Sequence, residues 1–476
     1  ISERQTLSAY AIGQPQYITQ PKSKIQTINF LSEAKNPILM NDTEQIECKD
    51  NHPKVYFEFP VPKCVRRAFS HAGFVITKVL SLANVAWLKV NSQLRSEVGA
   101  SQYANFIPGM NAFTNLINLY SNVWRYYPQS GFMRHIFTDK DQFASYAAAN
   151  PGWFVDVKKQ VLVSSQSSDC PLSGLQVLDL QPMLVNKRKF VVKVVAVIPA
   201  VVPFRIYYSD EFFVQVCEKE FDLDQITNES YFVGRFVAQP LSQLAISDLK
   251  QKILPVLHKA IWMMESQLSQ QTQNFQFLTF QFEFDFQENC FLQQIKAGVD
   301  FDEQTEQFLH RALHVVGFKP LTKSGIIQTK SRIQTDNTDK EVLNEKTEKA
   351  EQLEEEEEEE VETKTYQTKI IDQEILQMPI EERMQKITPA EYYDYQIHSH
   401  LINEFRTQEG KFCRIDLEKL TEYEKRIAWE AVDEFKRNQG LEVVGIAGRS
   451  SEYKHFFRRR YLSELVGVCL AMTANE

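Results

Sequence analysis

No apolar run in the sequence reaches the roughly 18 residues that a membrane-spanning helix needs. The best candidate, LVGVCLAMTA at 465–474, is too short and follows Glu464. A helical membrane anchor is therefore not expected. Paired cysteines are also missing. The seven cysteines (Cys48, Cys64, Cys170, Cys217, Cys290, Cys413, Cys469) stand singly, none in a CxxC. Their odd number and scatter exclude a disulfide framework or a zinc ribbon, and read as buried free thiols in a reducing compartment. An excess of basic residues is lacking too. The formal net charge is −9, which argues against a general nucleic-acid binder. No internal repeat is visible, so a solenoid is not expected. The first residue is Ile1 rather than Met, and a segment ahead of it is expected.

What is present is a soluble, globular composition in a chain of 476 residues, long enough for two or three domains. Residues 1–53 are polar and turn-rich, with Pro15, Pro21 and Pro37, and read as an extended N-terminal arm. A compact pattern begins at KVYFEFPV (Lys54). VITKVLSLANVAWLKV reads as a short helix leading into a strand that ends at Val90. NAFTNLINLYSNVWR (111–125) has helical apolar spacing. Together, 54–150 form a small α/β part.

Residues 151–322 form the main core. KFVVKVVAVIP, FRIYYSD and EFFVQVCEKE are rich in β-branched and aromatic residues and read as strands, the first of them central. Residues 247–271 read as a helix capped by Ser247 or Asp248, with Leu249, Ile253, Leu257, Ile261 and Met264 along one side. A hairpin over 275–296 follows, with its turn at Gln287–Asn289. A helix over 302–316 then stops at Gly317.

Residues 323–377 are dominated by charge, and 354–360 are all glutamate. Seven adjacent like charges repel and cannot pack, so this is an acidic disordered linker. Residues 378–476 form a helical C-terminal region. Its helices are ITPAEYYDYQIHSHLINEF, 418–439, and SSEYKHFFRRRYLSELVGVCLAM. The fold class is α/β to α+β.

Several stretches resemble one family, the tubulin tyrosine ligase-like proteins. NFIPGM (105–110) is similar to its N-H-F-P-G-M segment. PMLVNKRKFVVKVVAV (182–197) is similar to its P-L-L-I-x-G-R-K-F-D-L-R-V-Y-V-L stretch. PFRIYYSDEFFVQV resembles the strand pair that follows, and VDFDEQTEQFLHRALHVVG resembles the helix closing the catalytic core. The likeness covers about 54–322, and more loosely runs to 415. It implies an ATP-grasp core that joins an amino acid to a tubulin tail through an acyl phosphate. Such chemistry needs magnesium held by carboxylates.

At the positions that carry this chemistry the sequence departs from the family. Its W-x-x-K-P is WFVDV, so the phosphate-binding lysine becomes Asp156. No glycine-rich loop follows. The Asp and Arg of K-F-D-L-R become Val191 and Lys193. The metal-binding Asp becomes Gln281, and the closing E-x-N becomes Gln294 and Lys296. At about 4 Å and an effective dielectric near 20, one pair of like charges costs roughly 4 kcal/mol. An ammonium beside the metal would therefore oppose it.

The resemblance thus implies a catalytically degenerate member, with no cofactor and no metal. Such a chain serves as a structural component of a large microtubule-based assembly, for example a ciliary axoneme. Its partners would be tubulin or microtubule-associated ciliary proteins, in the cytoplasm and cytoskeleton, with no nucleic acid and no membrane. The alternatives are an active tubulin-modifying ligase of glutamylase or glycylase type, and a regulatory pseudoenzyme that binds nucleotide.

A two-residue slip would bring Glu283 to the Gln281 position, but the turn at Gln287–Asn289 opposes it. Asp156 and Lys296 are expected to pair across the cleft. Two basic clusters could touch an acidic partner: Lys187, Arg188 and Lys189 in NKRK, and Lys454, Arg458, Arg459 and Arg460 in KHFFRRRY. The second reads equally as a solvated helix face, and the first reads rather as an ordinary lysine-rich surface turn. His310 and His314, four apart on a helix, have metal-ligand spacing. With no third ligand near, they read as helix surface.

Overall fold

The computed structural model describes residues 10–12, 15–31, 38–40, 52–128, 131–166, 174–233, 239–243, 248–264, 267–268, 273–320 and 420–444. The glutamate run, the helix expected after Thr388, and Lys454, Arg458, Arg459 and Arg460 lie outside them. Helices and several sheets alternate, giving mixed α and β content of the α+β kind. Among the described residues no helix is long and apolar enough to cross a membrane.

The organising element is the strand Arg188–Val201. Valine fills it because a β-branched side chain packs well on a pleated surface. Its even residues, from Phe190 to Ile198, join one core with Ile253, Leu257 and Ile261 of the helix Leu249–Trp262. Val195 and Val197, on the other face, join a second core with Phe69, Trp87, Phe308 and Leu313. A strand buried on both sides is central, as its composition suggested. It pairs antiparallel with Phe204–Ser209, Phe213–Val216 and Gln276–Phe284 in an eight-stranded sheet.

Two smaller sheets flank this one. Lys54–Phe57, Val75–Thr77, Val85–Trp87, Tyr103–Ala104 and Gln273–Asn274 form a parallel sheet. Ile136–Phe137, Trp153–Asp156, Val161–Ser164 and Leu175–Val177 form an antiparallel one.

Several elements differ from expectation. The short helix expected in VITKVLSLANVAWLKV is a strand, Val75–Thr77, and a single 3-10 turn, Leu80–Leu82. The next strand ends at Trp87 rather than Val90, because the Asn105 side chain takes over the ladder. Asn105 accepts from Leu88 N at 2.7 Å and donates to Leu88 O at 3.1 Å. The helix over 111–125 is two helices, since the Asn115 side chain leaves the first to cap the second. Asp248 has helical backbone angles and makes no side-chain cap. The helix expected from 302 begins at Glu306, after a turn in which Asp302 accepts from Gln304 N and Thr305 N. Gly317 closes that helix in the left-handed conformation, as expected.

Two described segments far apart in the chain, 15–31 and 420–444, pack onto the core. Tyr17–Thr19 and Gln26–Ile28 pair as a hairpin, and Phe30 packs among Phe69, Phe74 and Phe318. The helix Glu422–Arg437 does not stand apart as a separate C-terminal module. Its Glu434 grips the buried Arg205 guanidinium at 2.7 and 2.9 Å. The strand Leu441–Val443 then adds to the main sheet beside Phe204–Ser209.

Candidate functional site: a polar ladder on the central hairpin

Strand alternation places residues i, i+2 and i+4 on one face. In Gln276–Phe284 the odd face runs Phe277, Thr279, Gln281, Glu283. Phe277 belongs to the apolar core, and polarity begins at Thr279. Gln281 sits in register between Lys193 on one side and Gln294 on the other. Past this point the pairing jumps from Gln294 to Leu292, so Gln293 is the extra residue of a β-bulge. Of the two adjacent amides in FLQQIKAG (291–298), Gln293 is the bulge and Gln294 faces Gln281.

Gln294 Nε2 donates to Gln281 Oε1. Gln281 is 1% exposed, and its own Nε2 has no hydrogen-bond partner among the described residues. Lys296 pairs with Thr279, one step along the same face, and its side chain is exposed. Lys193 is half-buried, with Nζ 4.0 Å from Asp300 Oδ2. Burial lowers the Lys193 pKa, Asp300 counters this in part, and Lys296 lowers it further. The surface thus presents amides and two ammonium groups. It suits an anion better than a divalent cation. The structure brings Lys193, Gln281, Gln294 and Lys296 together, whereas Val191, one step along the same face of the central strand, is fully buried and pairs with Gln215.

Glu283, the next residue on this face, belongs to a closed ion network. Its Oε2 accepts from Lys189 Nζ at 2.9 Å, and Arg134 Nε lies 3.4 Å from its Oε1. Arg134 also pairs with Asp179 and lies over the Phe291 ring at 3.7 Å. Lys189 lies over Tyr231 at 4.0 Å. Burial acts to lower the Lys189 pKa, but Glu283 and Tyr231 outweigh it and hold the ammonium charged. Burial likewise opposes the Glu283 carboxylate, and Lys189 and Arg134 hold it ionised. Glu283 is therefore consumed by two cations.

Two expectations need correction here. Lys189, expected at a basic surface spot, is 1% exposed. Strand alternation turns it inward with Val191 and Lys193, and only Lys187 and Arg188 remain outside. Asp156 does not pair with Lys296. It is 2% exposed, and its Oδ1 accepts from Lys158 N and Lys159 N at 3.0 and 3.1 Å. A carboxylate at the end of a strand commonly closes its own turn in this way.

The histidine pair is not helix surface. His314 is buried, and its Nδ1 accepts from Phe30 N at 3.4 Å. His310 Nδ1 lies 3.0 Å from Phe30 O. The two rings hold both backbone groups of one residue of the N-terminal segment. Among the described residues, no group of three or more His, Cys, Asp or Glu side chains converges as a metal site. Of the cysteines, Cys64 and Cys217 are buried and free and Cys290 is free and partly buried. The other four lie outside the described residues.

Sequence reading missed Arg134, Asp179 and Tyr231. One signal was available for their partners: Lys189, Val191 and Lys193 share parity, as do Gln281 and Glu283. Compared with known proteins, the chain matches no family model, and no curated protein matches it at a significant level.

Proposed function

We propose that this chain is a catalytically degenerate relative of the tubulin tyrosine ligase-like proteins, built on an ATP-grasp-like core. In this reading it acts as a structural component of a microtubule-based assembly, such as a ciliary axoneme. The observation that carries the reading is the amide pair Gln281–Gln294. The two residues that the resemblance puts at metal-ligand positions lie opposite each other on one hairpin. They hydrogen-bond to each other. Lys193 and Lys296 flank them in the ladder. A divalent cation there would meet ammonium groups where it needs carboxylates. The neighbouring carboxylate, Glu283, is neutralised by Lys189 and Arg134, which also argues against a two-residue slip in the resemblance.

In this reading the chain has lost ligase chemistry and retains a surface for its partner. Lys187, on the turn between Leu184–Val185 and the central strand, and Arg188, the first residue of that strand, remain exposed, open to an acidic partner. Co-sedimentation of the full chain with microtubules of purified tubulin tests the reading. The expected result is saturable pelleting that weakens with salt. A chain that stays in the supernatant at low salt would remove tubulin as the direct partner.

A further inference from the structure

A cavity of about 560 Å³ opens beside the polar ladder. Its position follows from the parallel sheet. Lys54–Phe57 has its successor Val75–Thr77 on one side and Val85–Trp87 on the other, so the chain reverses direction between the first and last of these. In open α/β sheets, ligands bind outside the carboxyl ends of the strands at such a point. The cavity is lined there by Phe59, Trp87, Asn91 and Asn105. The segment NFIPGM forms part of the wall. Gly109 is needed in it, because its φ is 87° and an added Cβ would run into the backbone oxygen of Gln267.

The charged groups at this cavity are mostly cations. Arg95 and Lys296 line it, with Asp300 as the carboxylate at the rim. Arg95 lies over the Phe106 ring at 4.9 Å, and its buried Nε has no hydrogen-bond partner among the described residues. Lys193 reaches the same rim through Asp300. The Asp300 side chain is 96% exposed, so water screens its pairing with Lys193.

We propose that this cavity is a metal-independent site for a small organic oxyanion, a carboxylate or phosphate carried on an apolar body. The anionic group is held between Arg95 and Lys296, and the body lies against Trp87 and Phe106. A volume of this size falls within the range of small-molecule pockets. Aromatic walls with a few converging charges are the usual composition of such a pocket. The inference rests on the reading above only in taking the ladder to be free of magnesium.

The test is calorimetric titration of the full chain with inorganic phosphate, and separately with succinate, at millimolar concentration, first without magnesium and then with it. At least one anion is expected to bind. Lys296→Gln and Arg95→Gln are each expected to weaken it roughly tenfold or more, the worth of a charge-assisted hydrogen bond. Lys140→Gln, on the exposed first turn of the helix Lys140–Ala149, serves as the control and leaves binding unchanged. The stronger of phosphate and succinate identifies the headgroup. Lys296 is exposed, so its replacement leaves the fold intact. No binding of either anion overturns the inference. So does binding indifferent to both variants. Binding that appears only with magnesium overturns the reading of the ladder as well.

Discussion

Lowering the pH from 7 to 5 is expected to weaken the hold of the N-terminal segment on the helix Glu306–Val316. His314 is 4% exposed. Burial, aided by the Arg437 guanidinium, pushes its pKa down from 6.5 to about 4. Its Nδ1 accepts from Phe30 N, so the ring is neutral in the folded chain, and a proton on Nδ1 would end that bond. The unfolded chain binds the proton first. Stability is therefore full above the ordinary histidine range and falls as the pH drops from near 6.5 toward 4. At about 1.36 kcal/mol per pKa unit, the whole effect is about 3 kcal/mol, of which about 2 kcal/mol falls between pH 7 and 5. Burial also lowers the His71 and His135 pKa values, so a comparison protein is needed. In His314→Gln the amide oxygen can still accept from Phe30 N but does not titrate. Urea unfolding followed by tryptophan fluorescence at both pH values measures the difference. The native chain should lose about 2 kcal/mol more than the variant. Equal losses in the two proteins would refute the clamp.

Further outcomes follow from the buried charges. Glu434→Ala strands the Arg205 guanidinium in the core and is expected to cost about 3–5 kcal/mol. Glu430→Ala, which removes the more exposed pair with Lys319, is expected to cost less than about 1 kcal/mol. Chemical denaturation of both variants tests whether Glu422–Arg437 belongs to the core. Glu283→Gln leaves Lys189 buried without its carboxylate and is expected to destabilise by a similar 3–5 kcal/mol, read by the same method. The combined change Gln281→Asp, Gln294→Glu and Lys296→Asn is expected to create divalent-cation binding. Titration with Mn²⁺ monitored by electron paramagnetic resonance should detect bound ion in the variant and not in the native chain.

The central strand and its hairpin were legible because their patterns are strong. A Val-rich run predicts burial on both faces, and FQFLTFQFEF predicts alternation with a fixed parity. That parity already put Gln281 and Glu283 on one face. The bulge at Gln293 was not legible, since nothing in QQ says which amide leaves the ladder. Lys189 was misplaced because a tetrapeptide such as NKRK looks like a surface turn. Its first three residues are exposed, and only the strand that follows turns the fourth inward. Asp156 was matched to Lys296 on charge alone, whereas its nearest donors are the backbone groups of its own turn. The histidines hold Phe30, 280 residues away in the chain for His310. The strand Leu441–Val443 joins the main sheet from beyond the acidic stretch. Contacts of such range leave no local pattern to read.

Calorimetric titration of ATP into the full chain, with and without Mg²⁺, bears most directly on whether the ladder has lost its chemistry. The expected result is no magnesium-dependent heat and no magnesium-dependent rise in melting temperature. Magnesium-dependent binding of ATP, abolished by Gln281→Ala, would mean that the amide ladder still holds a metal–nucleotide complex, and the degenerate reading would fail.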